Sequence, residues 1–410
     1  MSSAVWLFWA AIALLPFGRS AELPMAIAGI AGLVLLWRSP AAWRRPPARW
    51  AALIFLGYWL PQLLSAFDSV DAERSWREVG FDLRYLPMLV YFALELSQEN
   101  RAERAANGLG WIVLLWGADA LLQALTGFSL GGASSADRLS GIFGAEDLKL
   151  GPMLVALSPF LIAAAWHRRP WLGGLAVLLI GSAVILAGTR SAWIMLLLVI
   201  ATLGYAHLGA RRAGLALLAV FALGSLIGTA AYHGSESFAG RIDRSRAVFS
   251  GDRVGLDHAL AYRLPIWENA WRMTAAHPIN GVGVRAYRDA YPEYAEPGDR
   301  WLGFFEGKGA AHAHNIVLEL LSETGLLGLL IWCTVIGWLW RLALRVRLSA
   351  TDSRSAWSAA LIAMLFPLNT HYAVYSSEWG GLLLVLAAGW LASWAGKTGE
   401  PRAVQTASAS

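Results

Sequence analysis

Long apolar runs separated by short polar segments are the dominant pattern of this 410-residue chain. Runs of about 16 to 22 apolar residues are long enough for a helix to cross a lipid bilayer. The pattern therefore predicts an all-α, polytopic membrane protein with about twelve transmembrane helices. Their centres lie near Ile12, Gly29, Gly57, Val90, Leu114, Pro159, Leu178, Leu197, Val220, Trp332, Met364 and Leu384.

Basic residues collect in every second loop between the predicted helices. Because cytoplasmic loops are enriched in Lys and Arg, this alternation predicts an even number of spans with both termini in the cytoplasm. The apolar N-terminal stretch has no basic leader, so we expect a retained first helix rather than a signal peptide. The loop residues are Arg38, Arg44, Arg45, Arg49, Arg101, Arg104, Arg168, Arg169, Arg211, Arg212, Arg341, Arg345, Arg347, Arg354, Lys397 and Arg402.

The opposite, outer side carries longer and more varied segments. Residues 68–82 combine charges with a tryptophan and are expected to form an amphipathic helix at the membrane interface. Residues 128–151 form a Gly/Ser-rich loop, and residues 188–191 are expected to make a tight turn between two spans. Residues 232–314 are long enough to form a loop with helices of its own.

One helix is predicted inside that large loop, between Pro265 and Pro278. The spacing of Trp267, Trp271 and Ala275 predicts that these residues form its apolar face. We divide the chain into nine spans over residues 1–232, the loop over 233–314, three spans over 315–396, and a cytoplasmic tail over 397–410. The tail is rich in Ala, Ser and Thr and is expected to be disordered.

Composition narrows the function classes. The chain is 57% hydrophobic and only 15% charged, and its net charge of +5 comes from clusters in short loops, which indicates topology rather than nucleic-acid binding. The Walker A, HExxH, CxxC and DxD motifs are missing from the sequence. We therefore expect neither ATP hydrolysis nor a cofactor, and without an outer carboxylate cluster we expect no metal.

His314 and Asn315 are the first candidates for chemistry, at the head of the tenth apolar run. A histidine in the first turn of a helix feels the positive end of the dipole, which favours a neutral imidazole that accepts a proton. This position suits a general base. The alternative is that Asn315 is only an N-cap and His314 only an interfacial side chain.

Arginines on the outer side are the second group of candidates. Arg190 lies in the turn at 188–191, where its guanidinium would either hold a diphosphate or extend to lipid phosphate. Arg263 directly precedes the predicted loop helix, whose N–H groups favour anions. Most arginines in a loop of this size are solvated surface, and Arg272, Arg285 and Arg288 have no such placement.

A third group consists of charges beside or inside the membrane. The outer loop holds residues 138–149, including Arg138, Lys149, Glu146 and Asp147, although ordinary turn chemistry explains much of this segment. Three intramembrane acids are functional candidates by position, but pairing with polar neighbours for structure is an equal alternative. These acids are Asp119, Glu319 and Glu323.

The order of these motifs resembles a known family. Its elements are the turn at 188–193, the Tyr262-Arg263 pair before Trp267, the HPINGVG segment at 277–283, and His314-Asn315 followed by Gly325 and Gly328. Together they resemble the bacterial O-antigen ligases and their superfamily with O-antigen polymerases and O-linked oligosaccharyltransferases. Ligases tend to have Ser or Thr where Leu329 follows Gly328, so a polymerase remains an alternative.

The resemblance implies an inverting, metal-independent glycosyltransferase of GT-C-like architecture with one large periplasmic loop. It would transfer a glycan from undecaprenyl diphosphate to the lipid A core oligosaccharide at the periplasmic face of the bacterial inner membrane. The expected partners are these two substrates and membrane lipids. The resemblance and the residues assign catalysis to His314, Arg190 and Arg263, and substrate contacts to Arg138, Lys149, His312, Asn315, Arg285 and Arg288.

Three rival functions remain at this point. A polymerase or a protein O-oligosaccharyltransferase would use similar residues on a different acceptor. A transporter of a lipid-linked saccharide would also suit about twelve spans, but such folds often contain two related halves, and no internal repeat is evident. A purely structural scaffold would leave the histidine and arginine motifs without a purpose.

Overall fold

The computed structural model describes residues 2–133, 138–144, 149–234, 236–303, 307–344, 353–368 and 372–395. These residues are mainly helical, and the strands among them form one short antiparallel hairpin of β1 (Phe128–Ser129) and β2 (Gly132–Ala133). The helices are α1 (Ser3–Ala13), α2 (Glu22–Arg38), α3 (Pro46–Ser65), α4 (Ala72–Asp82), α5 (Tyr85–Leu96), α6 (Arg101–Thr126), α7 (Leu150–Arg168), α8 (Pro170–Ala187), α9 (Arg190–Leu208), α10 (Ala210–Gly234), α11 (Glu236–Arg246), α12 (Arg253–Ala259), α13 (Leu264–Ala276), α14 (Tyr287–Tyr294), α15 (Ile316–Leu344), α16 (Arg354–Met364) and α17 (Trp379–Ala395).

All twelve predicted centres lie inside helices, which are α1–α3, α5–α10 and α15–α17. Seven helices in the described parts of the chain are long and apolar enough to cross a membrane: α2 with the turn before it, α6–α10 and α15. The all-α, polytopic membrane fold is therefore confirmed. The count of about twelve spans stays a prediction, because a helix such as α1, with 11 residues, extends only about 16 Å.

Helix α7 lies at the centre of the bundle and α10 at its edge. The apolar stretch of α7 is 78% buried, and the helix packs against α6, α8, α9 and α16. In contrast, only 6% of the α10 stretch is buried, and it presents Leu215, Leu218, Phe221 and Leu226 outward. An apolar face of this kind is suited to contact with lipid.

Helices α11–α14 belong to the large loop, and α13 and α14 share a separate small core. This core contains Ile266, Ala270, Met273, Tyr287 and Tyr291. The predicted apolar face of α13 is therefore wrong. Trp271 is 62% exposed, because the side of α13 that faces α14 and α15 carries Ile266, Ala270 and Met273 instead.

The segment 278–284 joins this loop to the membrane helix α15. Its Val282 and Gly283 N–H groups donate to the Ser322 and Glu323 carbonyls, at 2.8 and 3.1 Å. The α15 helix is interrupted at this level, at Gly325, whose φ is +66°. The loop is consequently fixed against the N-terminal part of α15, within about three helical turns of His314.

Candidate active site

Arg190 is the first residue of α9 and follows the predicted tight turn, where Gly188 has a φ of +71°. Its Nη1 group donates to the carbonyl oxygen of Ala259 at 2.5 Å and to Ser245 Oγ at 3.0 Å. The guanidinium is therefore bound to the loop helices α11 and α12. These two hydrogen bonds hold Arg190 where the membrane bundle meets the large loop.

Arg263 lies directly before α13, after two residues with left-handed backbone. Ala261 and Tyr262 have φ values of +55° and +63°, and Trp301 Nε1 donates to the Tyr262 carbonyl at 2.7 Å. Burial and, to a smaller extent, the positive charges of Arg190 and Arg138 together lower the pKa of Arg263 to about 10. Arg263 remains protonated at neutral pH, so three cationic side chains converge here.

Arg138 is brought to this cluster by a loop that α6 anchors. Asp119 Oδ1 accepts the Leu130 N–H at 2.8 Å, and Gln123 Oε1 accepts the N–H groups of Ser140 and Gly141 at 2.9 and 2.8 Å. Asp119, an intramembrane acid in the prediction, thus supports the loop through the backbone. Glu146 and Asp147 lie outside the described residues.

Asn315 caps the N-terminus of α15. Its Oδ1 atom accepts the N–H groups of Val317 and Leu318 at 3.0 and 3.1 Å, and the helix begins at Ile316. The expectation that His314 lies in the first turn is therefore wrong, because Asn315 takes the capping position. His314 precedes the helix with a left-handed φ of +52°.

His312 lies against His314, with ring centroids 4.0 Å apart. Only 7% of His312 is exposed, and its Nδ1 atom accepts the backbone N–H of His314 at 3.2 Å. Burial and, to a smaller extent, the charges of Arg285, Arg263 and Arg288 together lower the pKa of His312 to about 3. Arg263 is thus a neighbour of both the arginine cluster and the histidine pair.

Arg285 lies in a different electrostatic environment from Arg190 and Arg263. Burial opposes its charge, but the carboxylates of Glu323, Glu78 and Glu319 act more strongly and raise its pKa above the ordinary value. Its backbone N–H also donates to Glu323 Oε2 at 2.9 Å. Because acids surround Arg285, its charge is already compensated by the protein.

Arg288 and Lys149, both predicted to contact substrate, also have neighbours of their own. Burial lowers the pKa of Arg288, and Arg74 and Arg285 lower it further. Lys149 Nζ donates to Glu378 Oε1 at 2.8 Å, which joins the start of α7 to the segment before α17. The sequence does not indicate Glu78 or Glu378 as partners, because both are distant in sequence from the residues that they contact.

An apolar cleft of about 730 Å³ lies between α8, α9 and α10. Its walls are lined by Val184, Trp193 and Val220, and one end is lined by Phe238 and Arg246 of α11. Trp193 is one helical turn from Arg190. The cleft therefore opens along the membrane bundle and ends on the side of the arginine cluster.

Comparison with known proteins identifies a family that part of this chain resembles. A family model described as O-antigen ligase matches residues 175–333, which include Arg190, Arg263, His314 and Gly325. The matched range covers less than half of the chain, and this segment is similar to the O-antigen ligase family. The match agrees with the predicted resemblance over this segment, and Arg138 and Lys149 lie outside the matched range.

A curated member of similar sequence is the exopolysaccharide production protein ExoQ of Rhizobium meliloti, which is 31% identical over 100 residues. The match covers 24% of this chain and 21% of the relative, so it spans about a fifth of the relative's length. Within the described residues, no group of three or more His, Cys, Asp or Glu side chains is placed to hold a metal ion.

Proposed function

We propose that the protein is an O-antigen ligase, which transfers a glycan from undecaprenyl diphosphate to the lipid A core oligosaccharide. The observation that carries this proposal is the position of Arg263. It adjoins two further cations, Arg190 and Arg138, and also the buried His312 that contacts His314. A binding region for a diphosphate and a candidate base therefore lie side by side at the end of the bundle.

The reaction that we assign to this site is a single displacement. The acceptor hydroxyl oxygen forms a bond to the anomeric carbon while the bond from that carbon to the diphosphate breaks. His314 takes the hydroxyl proton, which contributes roughly 10² to 10⁴ in rate. The leaving diphosphate keeps the bonding electrons, and the anomeric centre is inverted.

The arginines would stabilise the charge that develops on the diphosphate. Arg190 is held by Ala259 and Ser245, and Arg263 is held by the turn at 261–262, so both cations are in place before substrate binds. Preorganised charge near lipid acts strongly on a developing anion. We assign Arg138, whose loop is anchored on α6, to the same diphosphate-binding region. We expect the reaction to need neither a metal nor a cofactor.

The apolar cleft between α8, α9 and α10 is suited to the polyprenyl chain of the donor. Its walls are apolar along the bundle, and it ends near Arg190 through Trp193. A lipid chain in this cleft would bring its diphosphate to the arginines. We propose that this end of the cleft faces the periplasm and that residues 233–314 form the periplasmic loop. We also propose that both termini are cytoplasmic. The predicted tail at 397–410 lies outside the described residues.

The direct test is a transfer assay with purified protein, a defined undecaprenyl diphosphate glycan and lipid A core. His314→Ala is expected to lower transfer by at least about 10²-fold while donor binding persists. His167→Ala is the matched control, because His167 is exposed and lies in the last turn of α7. Wild-type activity should survive EDTA, and full activity of His314→Ala would contradict the assignment of the base.

A second candidate function is that of a polymerase that uses a lipid-linked glycan as the acceptor. It is favoured by the relative whose name gives a role in exopolysaccharide production. Supplying lipid A core, lipid-linked repeat units or an acceptor protein in parallel reactions distinguishes these acceptors. Donor consumption in detergent, where no compartments exist, would exclude transport as the only activity.

A further inference from the structure

His314 has a backbone conformation that its neighbours must maintain. Its φ of +52° lies in the left-handed region, which is strained for a residue other than glycine. The N–H of His314 donates to Nδ1 of His312, two residues earlier, at 3.2 Å. This is the spacing with which an Asn or Asp side chain stabilises a turn.

Glu319 lies on the other side of His312. Glu319 is fully buried, and its Oε1 atom accepts the Val374 N–H at 2.8 Å. Its Oε2 atom lies 3.6 Å from His312 Nδ1 and has no hydrogen-bond partner within the described residues. Glu319 therefore connects the histidine turn to the segment that precedes α17.

His312 accepts a hydrogen bond only while Nδ1 carries no proton, and its surroundings favour that state. The charged groups around it are Arg285, Arg263 and Arg288, with Glu319 below and His314 beside it. Burial and these three cations lower its pKa to about 3, despite the nearby carboxylate. The neutral tautomer with a proton on Nε2 therefore persists at neutral pH.

We propose that His312 is a positioning residue, whose Nδ1 holds His314 in the left-handed turn and so directs the His314 ring at the acceptor hydroxyl. This inference rests on the proposed role of His314 as the base. It replaces the prediction that His312 contacts substrate, since only 7% of His312 is exposed and its Nδ1 is used by the backbone.

Two substitutions at position 312 separate positioning from substrate binding. His312→Asn keeps an acceptor for the N–H two residues later, whereas His312→Phe keeps a ring and removes the acceptor. We expect His312→Asn to retain kcat within about threefold and His312→Phe to lose about 10- to 100-fold, with the KM of both substrates unchanged. Size-exclusion profiles and unfolding midpoints establish that each variant is folded.

The opposite pattern overturns the proposal. Equal losses in His312→Asn and His312→Phe, accompanied by a raised KM, would mean that the imidazole contacts substrate. The pH dependence of kcat gives a second criterion, because His314 remains the base in both variants. We expect the acidic limb, in which kcat falls as the base becomes protonated, to be retained. Loss of that limb in folded His312→Asn would assign the titrating group to His312 instead.

A measurement without activity distinguishes failure of this inference from failure of the proposed function. Nitrogen NMR of histidine-labelled protein, with the His312 signal identified by its loss in His312→Asn, should show one tautomer with Nε2–H from about pH 5 to 9. Titration of His312 within that range would refute the positioning role. If the wild-type protein transferred no glycan, the proposed function would fail, and the spectrum would still decide the role of His312.

Discussion

Gly325 lies so close to the backbone of Ile279 that a methyl group on Gly325 would stand 2.2 Å from the Ile279 carbonyl oxygen. The interruption of α15 at Gly325 leaves the Leu326 and Leu327 N–H groups to donate to the carbonyls of Pro278 and Ile279, at 2.9 and 3.0 Å. Two motifs that are separate in the sequence, HPINGVG and the glycine pair after His314, therefore form one contact between loop and membrane helix.

Gly325→Ala should disrupt this contact. The φ of +66° and ψ of −171° at Gly325 are accessible almost only to glycine, and the added methyl would overlap Ile279. We expect a loss of about 3 kcal/mol or more in unfolding free energy. Gly337→Ala is the control on the same helix, where no atom lies within 4 Å of the added methyl; an equal shift of both midpoints in thermal unfolding would contradict the prediction.

Arg263→Gln should weaken donor binding. It removes a cation from the cluster that includes Arg190 and Arg138 while retaining a polar side chain. Because a hydrogen bond to a charged group contributes about 1.5 to 3 kcal/mol, we expect the Kd for undecaprenyl diphosphate to rise about 10- to 100-fold. Arg272→Gln is the control, since Arg272 pairs with Glu296 on the other side of α13.

The salt dependence of binding provides a further check on Arg263. Electrostatic attraction between exposed charges is screened as ionic strength rises, so wild-type affinity should fall with added salt. Arg263→Gln should show a shallower decrease than Arg272→Gln. Unchanged donor affinity in folded Arg263→Gln would remove Arg263 from the proposed diphosphate site.

Lys149 and Glu378 should be coupled in stability. Their side chains are each 29% exposed and lie 2.8 Å apart, so a coupling of about 1 kcal/mol or less is expected from a double-mutant cycle. Exchanging the two residues, as Lys149→Glu with Glu378→Lys, should recover stability and leave the donor KM within about twofold. A donor KM that rises in Lys149→Ala and is not restored by the exchange would support the predicted substrate contact.

The buried Asp82 should make stability depend on pH. It accepts a hydrogen bond from Gln62 Nε2 at 3.2 Å, and burial together with the charge of Glu78 raises its pKa to about 7. A raised folded-state pKa stabilises the fold below about pH 4, and this contribution is lost as the pH rises through about 7. Asp82→Asn should therefore gain stability relative to wild type over this range, by on the order of 4 kcal/mol at most.

Unfolding midpoints of Asp82→Asn and wild type between about pH 4 and 8 measure this difference. Glu73→Gln is the matched control, because Glu73 is exposed on the same helix. A difference between Asp82→Asn and wild type that does not grow with pH would show that Asp82 does not carry the proton in the folded protein.

The sequence alone was sufficient to predict the fold class, because the apolar runs indicate which segments contact lipid and the basic loops indicate which segments contact water. It also located the turn before Arg190 and the limits of α13, since glycine and proline restrict the backbone locally. The motif order led to Arg190, Arg263 and His314, and the superfamily match includes all three. These features depend on residues that are near one another in the chain.

Only the tertiary structure decided which partner each polar group has. Asn315 rather than His314 caps α15, carboxylates surround Arg285, and Lys149 pairs with Glu378. Trp271 is exposed although its spacing on α13 indicated burial. Periodicity identifies a possible apolar face, but the face that is buried depends on the surface packed against it, and an ion pair depends on where distant helices place their ends.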